Sequence, residues 1–260
     1  MRWVAFVAAV ALLSLTAVPS EAAVLYSTGF ENPPFVLGPI NGQAGWSVYS
    51  ASGQTSAPVI ENTLVKTGLQ AVSVNGSVTG QTGPYLAPNF VDPVLDLSAA
   101  IYLASSSTES VWQFGTTGAG GIGFAGGIDV ASPSSIHAGG TSIYAITGNY
   151  TTIIGTFSRD TWHQVDLILD YATQTYAVEL DGSLLANGLA FCGNNFGPCN
   201  GAPVTSLGWA LFDSFGGGND LGAMDNFSIS TPVPEPAAMS LLGASLLALG
   251  LVWRRRARQK

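Results

Sequence analysis

Basic residues are almost absent from most of this sequence. Only 9% of the 260 residues are charged, and the formal net charge is −8. Between residues 24 and 231 the only basic residues are Lys66 and Arg159, against 14 acidic ones. Such a surface repels a phosphate backbone, so we expect no binding to nucleic acid. The acid excess is suited to a cation such as Ca²⁺, or it serves solubility alone.

Histidine is also scarce, and the common catalytic patterns are missing. Neither His137 nor His163 lies in an H-x-H or H-E-x-x-H pattern, so a catalytic metal site has no support. No G-x-S-x-G sequence is present to form a nucleophile elbow. Glu179 and Asp181 are the nearest approach to paired acids on one strand, and Asp181 fits a turn before Gly182 better. These absences favour a protein that is not an enzyme.

The N-terminus has the features of a secretory signal peptide. Arg2 precedes an apolar run over residues 4–18, and a proline ends the run. Ser20 and Ala22 satisfy the small-x-small rule, which predicts cleavage after Ala22 or after the next alanine. We therefore assign residues 1–22 to a signal peptide. A retained N-terminal anchor is the alternative, for which the apolar run is short.

The C-terminus combines a proline-rich motif, an apolar run and a basic cluster. The motif reads Val233-Pro234-Glu235-Pro236, and about 17 apolar residues follow, which span roughly 25 Å as a helix. The basic cluster consists of Arg254, Arg255, Arg256, Arg258 and Lys260. By the positive-inside rule this end is cytoplasmic and the preceding domain is exported. The pattern predicts a single transmembrane helix in the inner membrane.

This arrangement resembles the PEP-CTERM sorting signal, and the resemblance covers residues 232–260. In that family an exosortase, a membrane-embedded enzyme of Gram-negative bacteria, recognises the motif. The resemblance implies that Pro234, Glu235 and Pro236 are the recognition residues, and that the protein passes from the inner membrane to the cell surface or extracellular matrix. The two prolines keep the chain around Glu235 extended, as an accessible motif requires. A plain C-terminal anchor is the alternative, and removal of the tail stays open.

Residues 23–231 read as one all-β domain. Glu/Lys-rich stretches typical of surface helices are absent. Hydrophobic and polar residues alternate over 165–169 and 175–180, with a turn between them and Asp181-Gly182 after them, which predicts a β-hairpin. Ten or more short strands separated by Gly, Pro and Asn predict an antiparallel two-sheet sandwich.

Several short strings in this domain resemble a concanavalin-like or laminin-G-like jelly roll. They are Phe30-Glu31, Gly45-Trp46, Trp162-His163-Gln164-Val165, Asp181-Gly182 and Asp225-Asn226-Phe227. The resemblance implies a jelly-roll-type antiparallel β-sandwich whose first and last strands are neighbours. It also implies a binding or structural module more often than an enzyme.

Two pairs of residues are candidates for structural links. Cys192 and Cys199 are the only cysteines, and export places them in an oxidising compartment, so we expect a disulfide that pins a short loop. Glu31 and Asp225 lie beside strands predicted at opposite ends of the domain. If those strands pair, the two carboxylates meet and are candidate ligands of a structural Ca²⁺. Otherwise Glu31 is a strand-end surface acid and Asp225 is a turn acid.

The tryptophans give two interpretations for the domain. Trp46, Trp112, Trp162 and Trp209 either stack on sugar rings or, as is commoner in strands, belong to the core. The leading hypothesis is a non-enzymatic cell-surface or extracellular-matrix protein, of the kind found in biofilms, that is sorted by an exosortase and binds exopolysaccharide. The alternatives are a secreted glycan-active enzyme on the same fold and a passive envelope protein without a ligand.

Overall fold

The structure, a computed structural model, describes residues 22–50, 57–76, 81–119, 123–134, 139–147, 152–192, 203–215 and 218–232. The sorting motif, the basic cluster and nearly all of the predicted signal peptide lie outside these ranges, and so does the predicted transmembrane helix. Within the ranges, no helix has the length and apolarity needed to cross a membrane.

The described residues contain sixteen β-strands. In chain order they are β1 (Val24–Thr28), β2 (Gly38–Pro39), β3 (Trp46–Ser50), β4 (Val59–Glu61), β5 (Ala71–Asn75), β6 (Thr82–Leu86), β7 (Val94–Leu103), β8 (Val111–Thr117), β9 (Phe124–Ala131), β10 (Ser142–Ala145), β11 (Ile153–Thr156), β12 (Trp162–Asp170), β13 (Thr175–Leu180), β14 (Ser183–Ala190), β15 (Trp209–Phe215) and β16 (Leu221–Ser230).

The strands form two antiparallel sheets around one core. Sheet A has the order β14-β13-β12-β7-β16-β5-β4-β2, with β1 paired to β16 beside that path. Sheet B has the order β11-β10-β9-β8-β15-β6-β3. Strands distant in sequence lie side by side, such as β7 with β16 and β8 with β15. The predicted antiparallel β-sandwich is confirmed, and its first and last strands are neighbours.

The hairpin predicted around residues 165–180 is present as β12 and β13. Their register pairs Val165 with Leu180 and Asp170 with Thr175. Along β12 every second residue is buried, as expected when one face of a strand meets the core. Asp181 has a φ of 50° and Gly182 one of 73°, so they form the tight turn into β14 that an Asp-Gly pair favours.

The central strands of sheet B are buried on both faces. Every residue of β8 and β9 is buried, although only alternate side chains can face the core between the sheets. Trp112, Phe114 and Phe212 point into that core, where the rings of Trp112 and Phe212 stack with centroids 5.3 Å apart. The intervening positions, such as Gln113 and Asp213, therefore lie on the opposite face of sheet B.

A buried arginine joins the loops at one end of the sandwich. The side chain of Arg159 is 3% exposed, and its Nη1 donates hydrogen bonds to Asp220 Oδ2 at 2.7 Å and to the carbonyl of Ala104 at 2.8 Å. Its other nitrogens reach the carbonyl of Gly140 and, at 3.2 Å, the carboxylate of Glu109. One guanidinium therefore ties together segments that belong to both sheets.

Replacing Arg159 with Met should lower the free energy of unfolding by about 3–5 kcal/mol, because the Asp220 carboxylate would stay buried without its cation. Lys66→Met is the matched control, since it removes the other cation of residues 24–231 from an exposed position. It should change stability by less than about 0.5 kcal/mol. Urea unfolding measures both changes, and equally small effects would show that the Arg159 contacts contribute little.

Candidate functional site

A pocket of about 100 Å³ opens on the face of sheet B that points away from the core. On β15 the side chains of Ala210 and Phe212 belong to the core, so Trp209, Leu211 and Asp213 alternate onto this outer face. Neighbouring strands supply the rest of the wall, which consists of Tyr49, Gln81, Tyr85, Thr117 and Phe124. The pocket thus lies across β3, β6, β15, β8 and β9.

Three aromatic rings form one side of this pocket and are called the aromatic platform: Tyr49, Tyr85 and Trp209. The rings of Tyr85 and Trp209 are stacked, with centroids 4.3 Å apart and planes inclined by 25°. Tyr49 lies 6.4 Å from Trp209 and is 39% exposed. A partly exposed aromatic surface of this kind suits the apolar face of a sugar ring.

The four candidate tryptophans divide between core and surface. Trp46 and Trp112 are each 1% exposed and belong to the core. Trp162 is partly exposed on sheet A beside Tyr102, at a centroid distance of 5.6 Å. Only Trp209 lines the sheet B pocket.

A line of polar side chains crosses sheet B next to the aromatic platform and is called the polar row: Asp213, Gln113 and Asp129. The strand registers pair Asp213 with Gln113 and Gln113 with Asp129, so all three lie on the same face. Gln113 Nε2 donates to Asp129 Oδ1 at 3.0 Å, and Gln81 Nε2 donates to Asp213 Oδ2. Asp213 and Gln113 are each 2% exposed, and Asp129 is 0% exposed.

Each member of the polar row keeps one oxygen without a hydrogen-bond partner among the described residues. These oxygens are Asp213 Oδ1, Gln113 Oε1 and Asp129 Oδ2. Burial raises the pKa of Asp129 to about 7, against a smaller opposing effect of the Gln113 hydrogen bond. Burial also raises the pKa of Asp213 well above its ordinary value, the Gln81 hydrogen bond opposes this, and the charge of Asp129 adds to it. Buried acids with raised pKa values beside a pocket are typical of functional sites.

Sequence reasoning missed the polar row. Gln113 and Asp129 each lie between core residues, in Trp112-Gln113-Phe114 and Ile128-Asp129-Val130, and Asp213 follows the core residue Phe212. That alternation is also what an ordinary solvent-facing position shows. Two acids and an amide that lie opposite one another on adjacent strands would have indicated the polar row. Their alignment becomes visible only when the pairing of β15, β8 and β9 is known.

The structure brings Glu31 to the loop between β4 and β5. Its Oε1 accepts hydrogen bonds from the backbone N–H groups of Leu69 at 2.8 Å and Gln70 at 3.2 Å. Gly68 makes this approach possible, because its φ is 73° and a Cβ there would lie 2.1 Å from Glu31 Oε1.

Asp225 reaches the same loop from a bulge in β16, next to the pairing of β1 with β16. Its Oδ2 accepts the N–H groups of Lys66 and Thr67, both at 3.0 Å, and its Oδ1 accepts the N–H of Asn226 at 2.7 Å. Burial raises the pKa of Asp225, these N–H groups oppose the rise, and the charge of Glu31 adds to it. Both carboxylates therefore hold one loop.

This donor set does not fit Ca²⁺ in the arrangement described. Ca²⁺ takes about six to eight oxygen ligands, whereas the loop offers N–H groups to both Glu31 and Asp225. In the described part of the chain, no three residues of the types His, Cys, Asp and Glu come together as a metal site. Binding of Ca²⁺ would require the loop to turn its carbonyl oxygens towards the two carboxylates. A structural Ca²⁺ at Glu31 and Asp225 therefore stays a prediction.

Ser158, His163 and Asp181 form a hydrogen-bonded chain that the sequence analysis did not predict. His163 Nδ1 lies 2.7 Å from Asp181 Oδ2, and Nε2 lies 2.7 Å from Ser158 Oγ. These are the contacts of a Ser-His-Asp triad. However, Nε2 also lies 3.0 Å from the Ser158 carbonyl oxygen. An N–H donated to that carbonyl leaves no lone pair for a general base, so the geometry favours a structural link between β12 and the Asp181-Gly182 turn.

Several residues that the sequence analysis singled out lie outside the described part of the chain. Cys192 is 2% exposed, and no cysteine of the described residues is free. Cys199 lies outside, so the disulfide between them stays a prediction. His137 lies outside as well. The sorting motif and the basic cluster begin beyond the last described residue.

Comparison with known proteins gives a sequence match at the C-terminus. Residues 232–256 match the PEP-CTERM protein-sorting motif. The match includes Pro234, Glu235 and Pro236, and it confirms the sorting signal that the sequence analysis predicted. No curated protein matches the chain.

Solved structures show the same fold at very low sequence identity. A Bacillus subtilis protein of unknown function with a galectin-like fold has a TM-score of 0.51 and 10% identity, over 84% of this chain and 100% of that one. The carbohydrate recognition domain of Emp47p gives 0.50 and 9%, over 82% and 98%. A sialidase gives 0.51 and 12%, over 72% of this chain, which spans only 17% of the sialidase. The predicted concanavalin-like sandwich is confirmed.

Asp129→Asn should stabilise the protein above about pH 7 and flatten its pH dependence. The unfolded carboxyl titrates near pH 4 and the folded one near pH 7. The folded state therefore holds the extra proton between these values, so wild-type stability falls as the pH rises through this window. We expect the variant to gain about 2–4 kcal/mol over the wild type at pH 8.

Thermal and urea unfolding between pH 5 and pH 8 measure this difference. Asp160→Asn is the control, because Asp160 is exposed and hydrogen bonds from Ser105 lower its pKa, which places its titration below the window. Parallel stability curves for Asp129→Asn and the wild type would contradict the raised pKa.

Proposed function

We propose that this chain is an exported, non-enzymatic surface or matrix protein that binds a glycan in the sheet B pocket. Its C-terminal motif supports export and sorting by an exosortase, with an intermediate anchored in the inner membrane of a Gram-negative bacterium and later arrival at the cell surface or extracellular matrix. Exopolysaccharide is the ligand we expect in that location.

The observation that carries the proposal is the pocket itself. The aromatic platform supplies an apolar wall, and Gln81 and Asp213 supply polar atoms beside it. Sugar rings have an apolar face and a polar edge, so a wall of each kind in one concave site matches them. The likeness to a carbohydrate recognition domain supports the fold as a suitable framework, and the binding function rests on the pocket.

A glycan-active enzyme is the second candidate, and the polar row is the observation that favours it. Two carboxyls whose pKa values are raised have the property that a general acid needs. Asp129 is 0% exposed, however, and so cannot reach a substrate in this arrangement. Glycan binding without hydrolysis explains the pocket and does not require a buried carboxyl to reach the substrate. A chain that binds no glycan would be the passive envelope protein.

Trp209→Ala should weaken glycan binding about tenfold, because it removes the ring that both tyrosines contact. Trp162→Ala is the matched control, since it removes the other partly exposed tryptophan of sheets A and B from outside the pocket. A glycan array identifies the ligand, and isothermal titration measures both affinities.

Both variants should keep the wild-type melting temperature. An equal loss of affinity in the two variants would show that the sheet B pocket is not the glycan-binding site. Release of reducing ends from a bound glycan, abolished by Asp213→Asn, would establish the enzyme instead.

Changing Pro234, Glu235 and Pro236 together to Ala should leave the protein unprocessed in the inner membrane, because the exosortase loses its recognition sequence. Cell fractionation and the mass of the exported chain measure this. The wild-type protein in a host without an exosortase is the control and should show the same retention. Arrival of the triple variant at the surface in normal amounts would contradict the sorting role.

A further inference from the structure

The polar row places one unpartnered oxygen in the wall of the sheet B pocket and a second on the neighbouring strand. Asp213 lines the pocket, and Gln113 is its register partner on β8. In the described residues Asp213 Oδ1 and Gln113 Oε1 have no hydrogen-bond partner, although each side chain is 2% exposed. A buried amide oxygen such as Gln113 Oε1 calls for a donor. The Asp213 carboxyl, whose pKa burial raises well above its ordinary value, donates when protonated and accepts when ionised. A hydroxyl group can pair with it in either state and can also donate to an amide oxygen, which a carboxylate or a sulfate cannot do.

No basic residue of the described part of the chain lines the sheet B pocket. Arg159 and Lys66 are its only basic residues between positions 24 and 231. Arg159 is buried and bound to Asp220 and Glu109. The backbone of Lys66 belongs to the loop that contacts Asp225 of sheet A. An anionic group would therefore enter a pocket without a positive partner among the described residues, in a domain of strong acid excess.

The wall of the pocket consists of aromatic side chains and a leucine, apart from Asp213, Gln81 and Thr117. The stacked rings of Tyr85 and Trp209 lie beside Phe124 and Leu211. A ligand that fills the site must offer an apolar face to these residues and hydroxyl groups to the polar row. An uncharged sugar ring meets both requirements.

We propose that the sheet B pocket selects uncharged, hydroxyl-rich glycans and excludes those that carry uronate or sulfate groups. Asp213 and Gln113 bind the hydroxyls of the sugar, and Tyr85 and Trp209 stack against its ring. This inference rests on the proposed glycan binding and adds the class of glycan.

Matched polymers test the selectivity on the full chain in detergent. Dextran is compared with dextran sulfate, and hydroxyethyl cellulose with carboxymethyl cellulose, each with EDTA so that divalent cations cannot bridge acidic groups to the protein. We expect the neutral member of at least one pair to bind about tenfold or more tightly than its charged counterpart. The preference should persist in about 0.5 M NaCl, which screens long-range repulsion. Equal or tighter binding of the charged polymers with EDTA would overturn the proposal.

Three variants test the mechanism. Asp213→Leu should weaken neutral binding about tenfold, whereas Asp213→Asn, which keeps an oxygen of similar position, should stay within about threefold of wild type. Gln81→Lys places a cation at the pocket wall and should strengthen binding of the charged polymers about tenfold without helping the neutral ones. Asp166→Asn removes a charge from sheet A and should change neither. Melting temperatures verify that each variant is folded, and the Gln81→Lys measurement decides the selectivity if Asp213→Leu does not fold.

The results separate this inference from the proposed function. If Trp209→Ala weakens binding but Asp213→Leu and Gln81→Lys have no effect, the protein binds glycans and the proposed selectivity is wrong. If neither the polymers nor a broad array of neutral and acidic glycans binds, the glycan-binding function fails and the selectivity fails with it.

Discussion

The buried guanidinium of Arg159 is the contact on which one end of the sandwich depends. It bridges the end of β7, the approach to β10 and the start of β16, through Ala104, Gly140 and Asp220. Asp220 in turn accepts the indole N–H of Trp112 at 2.7 Å, and the Trp112 ring stacks on Phe212. The cation thereby fixes a core residue of sheet B against the first residues of β16. Since strands β8 and β15 also carry the pocket on their other face, its floor depends on this core.

The two faces of sheet B carry different kinds of residue. Its inner face is apolar and completes the core, while its outer face holds the polar row and the aromatic platform. Each unpartnered oxygen of the polar row costs about 1–3 kcal/mol in the absence of a donor. Asp213 lines the pocket, where a hydroxyl of the proposed glycan would offset its share of this cost, whereas Asp129 is fully buried.

Local patterns predicted the fold well and the pocket poorly, for a physical reason. Alternation and the Asp181-Gly182 turn indicate a hairpin, because the two strands are adjacent in sequence and their register follows from the turn. Asp213 and Asp129 are separated in sequence by more than three strands, and no local rule places them on one face. The alternation of apolar and polar residues predicts which side chains lie on the same face of a strand. It does not predict whether the polar face is buried as well. Trp46 and Trp209 therefore looked alike in sequence, yet one is core and the other lines the pocket.

The distribution of positive charge links sorting to selectivity. Five of the eight basic residues lie in the last seven positions, the arrangement that the positive-inside rule associates with a cytoplasmic C-terminus. Only two lie between residues 24 and 231, and the fold uses Arg159 entirely for its own structure. A domain so short of cations is repelled by anionic lipid headgroups, which favours its release from the membrane. The same shortage leaves the sheet B pocket without a basic residue to pair with acidic sugars, and the proposed preference for neutral glycans rests on this shortage.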